Sequence, residues 1–73
     1  MKPFAEVRCN FYSEILKVWF VDAWRTDRDD EEGQVVATID PDCFEVTYRR
    51  KAYKDDPLVR EVIKDKLREL LKQ

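Results

Sequence analysis

Apolar and polar positions alternate over residues 3–11, with Ala5, Val7, Cys9 and Phe11 on one side and Glu6, Arg8 and Asn10 on the other. A period of two is the signature of a half-buried strand. Tyr12, Ser13 and Glu14 form a short connection, and the longest apolar run of the chain follows, residues 15–24, ILKVWFVDAW. Its β-branched and aromatic side chains suit a pleated surface and lose rotamer freedom in a helix. The run therefore predicts a second strand, hairpin-paired with the first.

This second strand is apolar on both faces. Ile15, Trp19, Val21 and Ala23 point one way together with Lys17; Leu16, Val18, Phe20 and Trp24 point the other way together with Asp22. Two apolar faces place a strand centrally and ask for cover on both sides.

Residues 25–33 carry five acids and two arginines ahead of the only glycine, Gly33. No core is built from such residues, so they predict an exposed hairpin loop, closed by Gly33 in a backbone conformation that glycine favours. Residues 34–39, QVVATI, read as a third strand, and Asp40-Pro41-Asp42 as a turn. Residues 43–51 alternate again, with Phe44, Val46 and Tyr48 inward and Glu45, Thr47 and Arg49 outward. Asp56 is a good helix N-cap and Pro57 suits the first helical position. From there Val59, Val62, Ile63, Leu67, Leu70 and Leu71 recur at helical spacing, with Leu58 at the edge of the stripe. A helix of about sixteen residues would run about 24 Å, enough to cross three or four strands. The expected fold is α+β: a four-stranded antiparallel β meander with one C-terminal α-helix packed on one face (ββββα), a single small domain over residues 1–73.

That architecture meets a conflict. One helix covers one face of a sheet, whereas the strand at 15–24 is apolar on both. A chain of 73 residues buries only roughly 60% of its unfolded surface, so little else is at hand to cover the second face. The uncovered face is the expected interaction surface, built from Ile15, Trp19 and Val21 with Lys17 at its rim; Trp24, on the other face of the strand, is a further expected interaction residue. In the opposite phase, Leu16, Val18 and Phe20 take their place. Trp19 and Trp24, five apart, fall on opposite faces, so the helix cannot cover both.

Composition narrows the chemistry. Fourteen Lys and Arg against sixteen Asp and Glu leave a net charge of −2, which gives no global field toward a polyanion. With no histidine, and with Cys9 and Cys43 far from metal-ligand spacing, no zinc site is expected. The two cysteines read as reduced, half-buried apolar residues of a cytoplasmic protein; a disulfide would need them to face each other on neighbouring strands. The acids Asp27, Asp29, Asp30, Glu31 and Glu32 run too consecutively for a calcium loop. Ser13 has no histidine to activate it, and one glycine makes no phosphate loop. No enzyme, cofactor, metal site or membrane-spanning segment is therefore expected.

Two function classes remain. The first is a non-enzymatic protein-interaction module that self-associates through the uncovered face. The second is weak nucleic-acid binding through Arg49, Arg50, Lys51 and Lys54, with Tyr53 stacking on bases, helped by a helix column of Arg60, Lys64, Arg68 and Lys72. Glu61, Asp65 and Glu69 run beside that column and offer offsetting pairs to Lys64, Arg68 and Lys72 three residues on.

Overall fold

The computed structural model describes residues 4–25 and 33–72. It is a four-stranded antiparallel sheet in the order β1 (Glu6–Ser13), β2 (Val18–Trp24), β3 (Gln34–Ile39), β4 (Val46–Tyr48). A 3₁₀ helix (Lys51–Asp55) and one α-helix, α1 (Pro57–Leu71), complete it. The fold is the ββββα arrangement that the pattern predicts. The acidic stretch Asp27–Glu32 lies outside the described residues.

Cross-strand register assigns the faces, because residues directly opposite one another share a side. Lys66 of α1 lies over the Trp19 ring, 4.0 Å from its centroid, so Trp19 and its partners Tyr12 and Ile39 face the helix. So do Val21 with Ala37, Ala37 with Tyr48, and Ala23 with Val7. Val21, Ala23, Val36, Ala37 and Ile39 are buried there against Val59 and Ile63, and Phe4, Cys9 and Tyr53 close the core. The opposite, open face carries Phe20 with Phe11 and Thr38, Asp22 with Arg8 and Val35, and Trp24 with Glu6.

Two bulges flank the same point of β2. On β1, three steps from Arg8 to Phe11 match two steps on β2, from Asp22 to Phe20. On β3, two steps from Val35 to Ala37 match the single step from Asp22 to Val21. An extra residue reverses the side-chain alternation beyond it and adds twist. Phe11, expected on the side of Val7 and Cys9, is therefore turned to the open face, and Tyr12 to the helix face.

The helix is anchored by one carboxylate. Asp56 Oδ1 accepts from the N–H groups of Leu58 and Val59 at 2.9 and 3.2 Å, the N-cap that the sequence predicts. Its Oδ2 accepts from the N–H of Phe4 at 2.9 Å, across fifty-two positions of sequence. The helix start is thereby tied to the chain entering β1. Among the described residues the ion pair along α1 is Lys66–Glu69 at 3.2 Å, rather than the expected pairs of Glu61, Asp65 and Glu69 with the cations three residues on.

Candidate interaction surface

The β1–β2 turn sets the surface. The Ser13 carbonyl accepts from Lys17 N–H at 2.6 Å, and Ser13 Oγ from Leu16 N–H at 3.2 Å. Lys17 closes the loop at φ 58°, a left-handed conformation that L-residues adopt at a cost. The β3–β4 turn repeats the design. The Asp40 carbonyl accepts from Phe44 N–H at 2.7 Å, Asp40 Oδ1 from Asp42 N–H at 2.9 Å, and Phe44 sits at φ 59°. Each turn thus spans five residues closed by an i→i+4 hydrogen bond, Ser13 to Lys17 and Asp40 to Phe44, with a side-chain oxygen at its start and a positive φ at its end.

The first loop consumes residues that the pattern assigns to a strand. β2 begins at Val18, so Ile15, Leu16 and Lys17 stand in the turn. Ile15 is 92% exposed and Leu16 63%, and neither contributes to the core. Behind them on the open face, Phe11 is 55% exposed, with its ring centroid 5.5 Å from that of half-buried Phe20. Val18 is half-buried beside it. Phe11, Ile15, Leu16, Val18 and Phe20 therefore form a run of apolar side chains on the distal half of one hairpin.

The other half of the open face is polar and held together. The Arg8 guanidinium lies 5.2 Å from the Trp24 ring centroid and pairs with Glu6 at 2.7 Å. Gly33 packs on the indole; a Cβ there would come within 2.6 Å of the ring. Gly33 has no positive φ, so the glycine is needed for this close approach rather than for the unusual backbone angle expected of it. Asp22 sits between the two halves. It is without an ion pair among the described residues, its register partner Arg8 being engaged by Glu6, and partial burial raises its pKa above the usual carboxylate value.

Several expected site residues are placed elsewhere. Val21 is fully buried, and Trp19 is covered by Lys66 and stacked on Tyr12 at 5.4 Å, so both belong under the helix. Ile15 and Lys17 are exposed in the turn, and Trp24 lies on the open face. Phe11 is a residue that pattern reading misses, because the β1 bulge that turns it outward leaves no mark in a period of two.

The second candidate patch is divided. Arg49, Arg50, Lys51 and Lys54 are exposed. Tyr53, expected to stack on bases, is 5% exposed and packs on Phe4 at 5.5 Å. The 3₁₀ helix turns its aromatic residue into the core and its cations outward, so the stacking half of that reading is corrected. Phe44, expected inward, is 40% exposed in its turn.

The cysteines lie apart. Cys9 is buried on β1 and Cys43 exposed in the β3–β4 turn, and β2 and β3 intervene, so no disulfide joins them. Burial pushes the Cys9 thiol up to about 11. It stays protonated at neutral pH and packs as a small apolar group.

Among the described residues, no helix is long and apolar enough to cross a membrane. Comparison with protein-family models, with curated proteins and with solved structures finds no match to the chain.

Proposed function

We propose that the chain is a protein-interaction module that pairs with a second copy of itself through the distal open face of the β1–β2 hairpin. The observation that carries this reading is the exposure of Ile15 and Leu16 in the β1–β2 turn together with that of Phe11 beside Phe20. A turn apex is ordinarily polar, and the fold makes no use of Ile15 at 92% exposure. An apolar patch that folding leaves uncovered is best explained by association.

Asp22 and the Arg8–Glu6 pair bound the patch at its proximal end. A symmetric contact would set the Phe11–Phe20 pairs of two chains against each other. Five apolar side chains expose a few hundred Å², less than the roughly 800 Å² per partner of a standard interface. The expected dimer is therefore weak, with Kd on the order of micromolar. The role is binding rather than catalysis, and the two unpaired thiols suit a reducing, cytoplasmic setting.

Static light scattering over a tenfold concentration range tests the reading. The wild type should move from the monomer mass toward twice that value, and Ile15→Ser should remain monomeric with unchanged thermal stability. An Ile15→Ser variant that associates like the wild type would refute the assignment.

A further inference from the structure

A groove of about 470 Å³ runs between edge strand β4 and the flank of α1 that faces it, apart from the open face. Tyr48, Ile63 and Leu67 form its floor, and Arg60, Glu61 and Lys64 its rim. Arg60, Lys64 and Leu67 are four and then three residues apart, so the helix places them on one flank. Among the described residues, β4 pairs only with β3. The Glu45 carbonyl accepts from Asp40 N–H at 2.8 Å, and Arg49 N–H donates to the Val36 carbonyl at 2.9 Å, so these alternate positions bond inward. Antiparallel alternation then turns the N–H and C=O groups of Val46 and Tyr48 toward the free edge. Among the described residues, neither Arg60 nor Lys64 has an ion-pair partner, and neither do Arg49 and Arg50 at the end of β4.

We infer that this edge and groove take an extended acidic segment of a partner protein as a fifth strand. Main-chain groups of the segment bond to Val46 and Tyr48, the mode by which peptides extend a sheet. Apolar side chains at alternate positions drop onto Tyr48, Ile63 and Leu67, and the groove volume suits one or two of them. Acidic side chains between the apolar ones meet Arg49 on the open side, and acids that flank the apolar pair on the helix-side face of the segment meet Arg60 and Lys64. The cationic rim, in which Glu61 is the one acid, selects an acidic strand over a basic one. The surface is separate from the hairpin face, so the two associations are independent.

The probe is a capped, fluorescein-labelled heptapeptide of sequence EEVEVEE, in which the two valines and the two end glutamates share the helix-side face and the other glutamates face the open side, with KKVKVKK as control, read by fluorescence anisotropy. The glutamate peptide should bind at least tenfold more tightly than the lysine peptide. Arg60→Glu combined with Lys64→Glu should weaken it at least tenfold; both residues are exposed, and an unchanged circular dichroism spectrum verifies the fold. Amide resonances of Val46 and Tyr48 should shift on titration, and N-methylation of the peptide valines should abolish binding. Absent binding, equal binding of both peptides, an unaffected double variant, or shifts confined to Phe11 and Phe20 would overturn the inference. Solution mass does not enter these readouts, so they stand or fall apart from self-association.

Discussion

Replacing Asp56 by alanine removes three hydrogen bonds made by one side chain. Loss of the N-cap contacts to Leu58 and Val59 costs about 1 kcal/mol. Loss of the contact to Phe4 leaves a part-buried N–H unpaired, for a further ~1–3 kcal/mol. The total of about 2–4 kcal/mol is a large share of the stability expected for a domain of this size, roughly 4–11 kcal/mol at the usual value per residue. Two further variants separate the parts. Asp56→Ser keeps a capping oxygen but has no second acceptor for Phe4, so it should lose only the second term. Asp56→Asn has one acceptor oxygen for two tasks and should fall between wild type and alanine. Urea denaturation followed by tryptophan fluorescence, at fixed chain concentration, reads all three. If Asp56→Ala lost less than about 0.5 kcal/mol, or Asp56→Ser lost as much as Asp56→Ala, the carboxylate would not be tying the helix to β1.

Three further outcomes are expected. Iodoacetamide should modify Cys43 readily and Cys9 only on unfolding, since Cys9 is buried and its thiol is pushed up to about 11; intact mass should show one adduct per native chain. Asp22→Asn should raise the melting temperature at pH 7 and lose that advantage toward pH 3. A raised folded-state pKa means that the native chain holds the proton more tightly, so stability falls as pH rises from the unfolded value through the folded one. Lys17→Gly should match or slightly exceed wild-type stability because φ at that position is positive, whereas Lys17→Val should cost at least ~1 kcal/mol, both by thermal melts.

What was legible in the sequence follows from which forces act locally. The helix is legible in its Asp56 cap, its proline and the stripe of Val59, Val62, Ile63, Leu67 and Leu70, signals carried by neighbours in sequence, whereas Leu71, expected in the stripe, is 67% exposed at the helix end. Strand order and fold class followed from alternation and turn residues. The β1–β2 turn was misplaced by about three residues because it has no glycine; its signals are Ser13 Oγ and a lysine in the left-handed region, and apolar Ile15 and Leu16 hid it inside the longest hydrophobic run. The same kind of turn at Asp40–Phe44 is legible from Asp40-Pro41-Asp42, but alternation places Phe44 in the core, whereas its left-handed backbone leaves it 40% exposed. The phase of β1 was lost at the bulge, which is fixed by pairing with β2 and so cost the surface its Phe11. Trp19 and Trp24 were separated to opposite faces as their spacing requires, but which face the helix covers depends on where Lys66, Val59 and Ile63 settle. That is a tertiary choice with no local signature.

The most direct test of the central claim is an isotope-filtered nuclear Overhauser experiment on a one-to-one mixture of labelled and unlabelled chains at high concentration. Self-association through this hairpin predicts intermolecular contacts from the Phe11 and Phe20 rings and from the Ile15 and Leu16 methyl groups. A mixture that associates through other residues, or a chain that stays monomeric with no intermolecular contact from this hairpin, would contradict it.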